Sequence, residues 1–349
     1  MIEVRTGARL HLGLLDNSGE HGRLYGSIGL AVDRPNLVLR AERSESLIIE
    51  GMETERVSIY ARRFIDRYRL PAGAHLNLLS GIPAHVGLGS GTQIALAVGT
   101  ALARLAGFDL STEEIALAGG RGVRSGIGIA AFQHGGFVLD GGHRVLQSPG
   151  NSSEAQSRQI EKNRVPPILF HYPVPKDWYF VTVIPGTEQG FSGERENSAF
   201  LHLPNPGAQL VEKVSRLLLM KMLPSLVEDD IAGFGQALTG IQRMVGDCFA
   251  SVQGGSFSNP LSGKLIEFLL ERGSAGAGQS SWGPAVYGLV RGSEAARHLR
   301  KDVQSFLAGL GGGQAFWVRP RNRGAVIRNI QETAGLGVNV HAEAPGRGE

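Results

Sequence analysis

The sequence predicts an α+β protein made of two packed layers, and three observations predict it. Strand-like segments crowd the beginning of the chain, and helical periodicity takes over after them. A second block then alternates strand and helix again. Between the blocks, residues 148–167 are polar, with Asn, Ser, Gln, Glu and a double Pro, and read as a linker. At 349 residues the length suits one large domain or two modest ones. The expected division is 1–165 and 166–349.

The elements follow in order. Apolar runs at 10–15, 28–32, 37–39 and 47–49, separated by charged turns, read as strands. Val57, Tyr60, Ala61, Phe64, Ile65 and Tyr68 recur at helical spacing, and Pro71 and Gly73 end that helix. Residues 75–78 alternate as a strand. A helix follows from Gln93, with Gly107 as its stop. Ser111 with Glu114 forms a capping box for the next helix. In the second block a strand is expected at 179–184 and helices at 208–223, 227–249 and 264–272. A strand at 286–290, a helix from Ser293 and a strand at 315–318 complete it.

Composition narrows the function. The net charge is +3 and the basic residues are dispersed, which argues against nucleic-acid binding. A mildly basic pocket for phosphorylated metabolites fits. The single cysteine, Cys248, excludes a disulfide framework, sits in a helical pattern and reads as structural. No apolar leader opens the chain and no run approaches the ~20 apolar residues of a membrane span. A cytoplasmic location is expected.

The 50 glycines, about twice the usual share, cluster between the periodic segments. The segment IPAHVGLGSGTQIALAVG, from Ile82, is the most informative of these clusters. Gly87, Gly89 and Gly91 punctuate a loop that opens directly onto a helix, with Ser90 and Thr92 available as caps. A helix N-terminus presents unpaired N–H groups and the positive end of the helix dipole, and glycines let an anion approach the backbone. No Gly-Lys-Ser/Thr follows, so this is not a Walker A loop. Pro83 and His85 interrupt the approach where a dinucleotide fingerprint needs a buried strand. A phosphate loop of another kind is expected.

Four further clusters carry polar side chains among glycines. RTGARLHLGLLD places Arg9 and His11 in an apolar strand, where a charged Arg calls for an anionic partner. GRLYGSIG presents Arg23, Tyr25 and Ser27. RGVRSGIGIAAFQHGGFVLDGG carries Arg121, Arg124, Ser125, Gly126 and Gly128. GAGQSSWGPAVYG carries Gly278, Gln279, Ser280, Ser281 and Trp282, a set of donors and one aromatic face. A charged Gly/Ser loop, EQGFSGERE, follows the 179–184 strand.

These segments resemble the GHMP kinase superfamily. Pro83, Gly87, Leu88, Gly89 and Ser90 match its second motif position by position. Gly7, Arg9 and His11 occupy the places of its opening strand. The resemblance implies an N-terminal ribosomal-S5-like domain and a C-terminal ferredoxin-like domain. In many of these kinases the Ser-Gly-x-Asp segment supplies an Asp that helps activate the attacking hydroxyl. The matching residue here is Gly128, which cannot polarise anything. GSGTQ, RSGIG and GQSSWGP are instead similar to the superfamily's β-ribofuranosylaminobenzene 5′-phosphate synthase branch.

That resemblance implies a decarboxylating pentosyltransferase of tetrahydromethanopterin biosynthesis. It would join phosphoribosyl diphosphate to 4-aminobenzoate or 4-hydroxybenzoate, releasing CO2 and diphosphate. The implied catalytic residues are Arg9, His11, Arg124 and Gln279. The implied substrate-binding residues are Arg23, Tyr25, Ser27, Gly87, Gly89, Ser90, Gly91, Thr92, Gln93, Ser125, Gly126, Gly128, Ser192, Gly193, Gly278, Ser280, Ser281 and Trp282. Mg²⁺ is the implied cofactor, with Glu194 and Glu196 as its candidate ligands. Arg9, Arg23 and Arg124 are expected to act as one cationic cluster. The resemblance admits a homodimer. An ATP-dependent small-molecule kinase and a non-catalytic ligand sensor are the alternatives. The absent carboxylate argues against the first, and the retained polar loops argue against the second.

Overall fold

A computed structural model describes residues 1–70, 73–146, 160–161, 163–186, 206–253, 255–257 and 259–330. In its first sheet β1 (Ile2–Asp16) and β2 (Arg23–Arg43) run antiparallel as a long hairpin. The strands expected at 28–32 and 37–39 are one continuous strand, β2. Beyond it lie β4 (Ala74–Ser80) and, parallel to β4, β3 (Leu47–Gly51). A parallel pair needs a crossover, and α1 (Thr54–Tyr68) provides it. It buries Val57, Tyr60, Ala61 and Phe64 and ends at Arg69, which is left-handed at φ 50°. Pro71, expected to stop this helix, lies outside the described residues.

Three helices follow. α2 (Ser90–Ala106) is buried along most of its length and closes on Gly107, whose φ of 78° a glycine accepts without strain. α3 (Thr112–Ala118) starts at the expected capping box of Ser111 and Glu114. α4 (Ile127–Gln133) begins within the RSGIG segment, where sequence periodicity gave no helix. Next, β5 (Phe137–Asp140) and β6 (His143–Arg144) pair with β2, and β7 (Ile168–Tyr172) pairs with β5.

The second sheet contains β8 (Trp178–Pro185), β9 (Gly276–Gln279), β10 (Val286–Arg291) and β11 (Gly313–Val318) in the order β11-β8-β10-β9, all antiparallel. Its helices are α5 (Ala208–Leu217), α6 (Leu223–Val227), α7 (Ile231–Gln253), α8 (Pro260–Glu271) and α9 (Ser293–Ala308). The helix expected at 208–223 passes through a π-helical turn at Leu218–Met222. The one expected at 227–249 is broken, because Asp229 turns left-handed at φ 58° and Asp230 accepts from the N–H groups of Ala232 and Gly233. α8 starts earlier than its periodicity suggests, since Asn259 caps it by accepting from Ser262 N at 2.7 Å.

One face of this sheet packs Val181, Val183 and Val286 against Leu265, Leu269 and Val303 of α8 and α9. The other face, with Phe180, Tyr287 and Leu289, joins the main core, where Phe234, Leu238 and Ile241 of α7 meet Leu10 and Leu12 of β1. The two sheets therefore share one core through α7. Segments 1–165 and 166–349 do not map one to one onto the sheets. β7 belongs to the first sheet, and β12 (Val326–Asn329) returns to pair with β1. Among the described residues no helix is long and apolar enough to cross a membrane.

Candidate functional site

The glycine loop, β1 and the GQSSWG loop meet across the two layers. Arg9 N donates to Leu88 O at 3.1 Å, Ser281 N to His11 O at 3.2 Å and Ala285 N to Val86 O at 3.1 Å. Ser280 stands at the centre. Its hydroxyl accepts from His11 N at 3.0 Å and donates to Gly87 O at 2.7 Å. The Arg9 guanidinium also donates to Gly87 O. Gly87 must be glycine: its φ is +86°, and a Cβ there would lie 2.2 Å from Ser280 O.

Above this junction α2 opens. Its N-cap is Gly89, at φ 83°, and no side chain caps it. Ser90 and Thr92, expected as caps, are themselves helical. The first-turn N–H groups of α2 have no intrahelical acceptor, and no acidic residue occupies that turn. Three arginines converge there instead. The side chain of Arg9 packs under Gly89. A Cβ at Gly91 would lie 2.7 Å from Arg121 Nη2 and 3.1 Å from Arg56 Nη2. Arg56 donates to Ser90 Oγ at 3.2 Å and pairs with Glu53 at 3.1 Å, and Arg121 lies over the Tyr60 ring. Unpaired backbone donors, a helix dipole and guanidinium forks together suit a multiply charged anion.

A second glycine segment, Ser125–Gly126, lies beside it. Thr92 packs against Gly128, the residue that the sequence resemblance matches to the kinase carboxylate, with its Cγ2 3.1 Å from where a Gly128 Cβ would be. Gly128 O accepts from Gln93 Nε2 at 2.8 Å, and Thr6 Oγ1 donates to Gln93 Oε1 at 2.6 Å. Gln93 is fully buried and ties β1, α2 and α4 together, which commits its amide to the protein. The acid of this region is Asp140, also fully buried. Its Oδ1 accepts from Gly142 N at 2.9 Å and Ser27 N at 3.2 Å. Its Oδ2 accepts from Gly126 N at 2.8 Å and Ser27 Oγ at 2.5 Å. Desolvation nevertheless pushes the Asp140 carboxyl above its ordinary range.

The arginines expected to act together have different partners. Arg9 holds the glycine loop. Arg23 donates to Gly141 O at 2.6 Å and Gly142 O at 2.7 Å, closing the turn after β5. Arg124 hydrogen-bonds Tyr25, whose ring meets His143 edge-on at 6.5 Å rather than standing open. Burial, reinforced by the Arg9 charge, drives the His11 imidazole down to about 3, so it is neutral at physiological pH. In the GQSSWG loop, Gln279 donates to Ser281 O at 2.9 Å and Trp282 meets Phe249 edge-on. Gly278 allows the side chain of Gln242 to approach, and Gln242 accepts from Gln279 N at 2.9 Å while donating to Leu12 O. Cys248 is half-buried, and burial pushes its thiol up. Ser192, Gly193, Glu194 and Glu196 lie outside the described residues. Among the described residues no three His, Cys, Asp or Glu side chains gather as a metal site.

Sequence reasoning missed Arg56, Gln242 and Asp140. Arg56 carries no signal, since it sits on the polar face of an amphipathic helix and reaches the site only through packing. Gln242 does carry one: it falls at helical spacing with Phe234, Leu238 and Ile241 and is buried with them, a polar residue in an apolar stripe. Asp140 does carry one: an acid ending the apolar run Phe137–Asp140 is a charge in a buried strand.

Comparison with known proteins places the chain in a family. The GHMP kinases N terminal domain matches residues 55–136 and the GHMP kinases C terminal domain residues 222–332. A beta-ribofuranosylphenol 5′-phosphate synthase from Methanothermobacter thermautotrophicus is 34% identical, over 93% of this chain and 98% of its own length. One from Archaeoglobus fulgidus is 36% identical, over 94% and 99%. The chain belongs to the beta-ribofuranosylphenol 5′-phosphate synthase family. The expected GHMP-type α+β fold holds as well. Homoserine kinase from Cytophaga hutchinsonii superposes with a TM-score of 0.64 at 17% identity, covering 94% of this chain and 97% of its own. Mevalonate pyrophosphate decarboxylase from Streptococcus pyogenes gives 0.63 at 14%, covering 92% and 97%. These two likenesses concern the fold alone.

Proposed function

We propose that the protein is a pentosyltransferase that joins phosphoribosyl diphosphate to a para-substituted benzoate, 4-hydroxybenzoate or 4-aminobenzoate, in tetrahydromethanopterin biosynthesis. The anomeric C–O bond breaks, diphosphate leaves with the electron pair, and the ring carbon bearing the carboxylate bonds to the sugar. CO2 then departs and aromaticity returns. The observation that carries this reading is the opening of α2, where first-turn N–H groups face three arginines with no acid in the turn. Such a site stabilises the charge that grows on a leaving diphosphate. The kinase position supplies no carboxylate to activate a hydroxyl.

The described residues around α2 suit an anion and gather no carboxylate cage for a bare cation. We therefore expect Mg²⁺ to arrive with the diphosphate, whose oxygens would form much of its coordination shell, and no step here depends on it. The test incubates the protein with phosphoribosyl diphosphate and carboxyl-labelled benzoates. Release of labelled CO2 that requires phosphoribosyl diphosphate supports the reading. ATP-dependent phosphorylation of a small alcohol with no CO2 release would replace it with a kinase.

A further inference from the structure

Asp140, Ser27 and Ser125 form a chain from the buried interior to the site. Ser27 Oγ lies 2.5 Å from Asp140 Oδ2 and 2.7 Å from Ser125 Oγ. Ser27 has one hydroxyl proton, so it donates to the carboxylate and accepts from Ser125. Asp140 and Ser27 are fully buried, and Ser125 is half-buried. Ile127 N donates to Ser125 Oγ at 3.2 Å and fixes it at the head of α4. The outer end of the chain is near the anion site: Gly128, one helical turn on, packs against Thr92 in the first turn of α2. Arg124 and Tyr25, held to each other, flank the same turn. A buried acid joined through the Ser27 hydroxyl to the half-open Ser125 hydroxyl is more than a helix cap requires, because Gly126 N alone would satisfy that role.

We propose that Ser125, Ser27 and Asp140 are a proton relay serving the acceptor's ring hydroxyl. This rests on the synthase reading. The hydroxyl O–H of a 4-hydroxybenzoate breaks as its proton passes to Ser125 Oγ. The Ser125 proton moves to Ser27 Oγ and the Ser27 proton to Asp140 Oδ2, which becomes a neutral acid. The electron pair left on the ring oxygen drives the para carbon onto the anomeric carbon as diphosphate leaves. Loss of CO2 returns the pair of the broken C–C bond to the ring as a phenolate. The Asp140 proton then returns along the same path to the ring oxygen. Burial raises the proton affinity of Asp140 and so allows it to hold that proton during the reaction. Ser125 meets the acceptor, whereas Ser27 and Asp140 act through it.

The relay has a chemical signature. 4-Aminobenzoate needs no proton removed before it attacks, and neither does a ring-fluorinated 4-hydroxybenzoate already ionised at the assay pH. Ser125→Ala and Asp140→Asn are assayed with all three acceptors by label release, and thermal melts establish that both variants fold. The expected result is a kcat loss of about 100-fold with 4-hydroxybenzoate and a loss about ten-fold or more smaller with the other two. A measurement on the unaltered protein does not depend on folded variants: a solvent deuterium isotope effect on kcat with 4-hydroxybenzoate that vanishes with the fluorinated acceptor. Equal losses with all three acceptors, or an isotope effect indifferent to ionisation, overturns the relay and leaves the synthase reading standing. No label release from any acceptor by the unaltered protein overturns both.

Discussion

Two helices in this molecule begin the same way and are used in opposite ways. α2 starts at Ser90 after Gly87-Leu88-Gly89, and α4 starts after Ser125-Gly126. At α2 no side chain caps the first turn, the nearby side chains are guanidiniums, and the positive end of the dipole is open. At α4 the corresponding donor, Gly126 N, is already held by Asp140, and Ile127 N by Ser125. A glycine-serine turn before a helix thus marks an anion site only where the chain does not bring its own anion. The difference is set from outside the motif, by Asp140 on β5 and by Arg56 and Arg121, which come from α1 and from the segment after α3.

The largest effect is expected from emptying the filled terminus. Asp140→Ala removes the acceptor of three buried N–H groups and a hydroxyl, at a cost of about 3 kcal/mol or more. Urea unfolding should show it as a fall in midpoint without a change in slope. An unchanged midpoint would mean that α4's donors find other acceptors.

At the open terminus function should separate from stability. Gly91→Ala puts a methyl group where Arg121 and Arg56 lie, and both are flexible enough to move away. Alanine favours the helix, so the melting temperature should hold or rise. The KM for phosphoribosyl diphosphate should rise about 10–100-fold, equivalent to one lost charge-assisted contact of about 1.5–3 kcal/mol. An unchanged KM would remove the arginines from the binding site.

His11 tests the acid side. Its folded value of about 3 lies below the ordinary 6.5, so the buried neutral imidazole stabilises the fold at neutral pH. That contribution falls as pH drops below about 6.5 and is exhausted near 3. One such group should cost about 2 kcal/mol between pH 7 and pH 5. His11→Gln should flatten this limb of the stability curve. If both proteins lose stability in parallel, the acid sensitivity lies elsewhere. The smallest effect is expected from Arg56→Ala. Arg56 is already paired with Glu53, so losing it should raise the diphosphate Kd only several-fold and reduce its salt dependence.

Local pattern revealed the elements and the loops, because helical spacing, capping boxes and glycine spacing are properties of neighbouring residues. Ser111 with Glu114, Gly107 and the glycine loop were all legible in this way. Partnership across the fold was not. Gln93 reads as a ligand in GSGTQ, but it is a buried tie between three elements. Arg23 reads as a phosphate fork, but it closes a turn on two carbonyls. Arg56 reads as an ordinary surface residue on α1, yet its guanidinium reaches the opening of α2. In each case the sequence shows what a side chain can do, and the second sheet element or helix that faces it decides which option is taken.

The contrast between the two termini can be measured directly by titrating diphosphate into isotopically labelled protein and following backbone amide resonances. The amides of Ser90, Gly91 and Thr92 should shift together and saturably, while Gly126 and Ile127, already held by Asp140 and Ser125, should stay in place. Shifts confined to Gly126 and Ile127, or no saturable shift at Ser90, Gly91 and Thr92, would contradict the assignment of the open terminus as the diphosphate site.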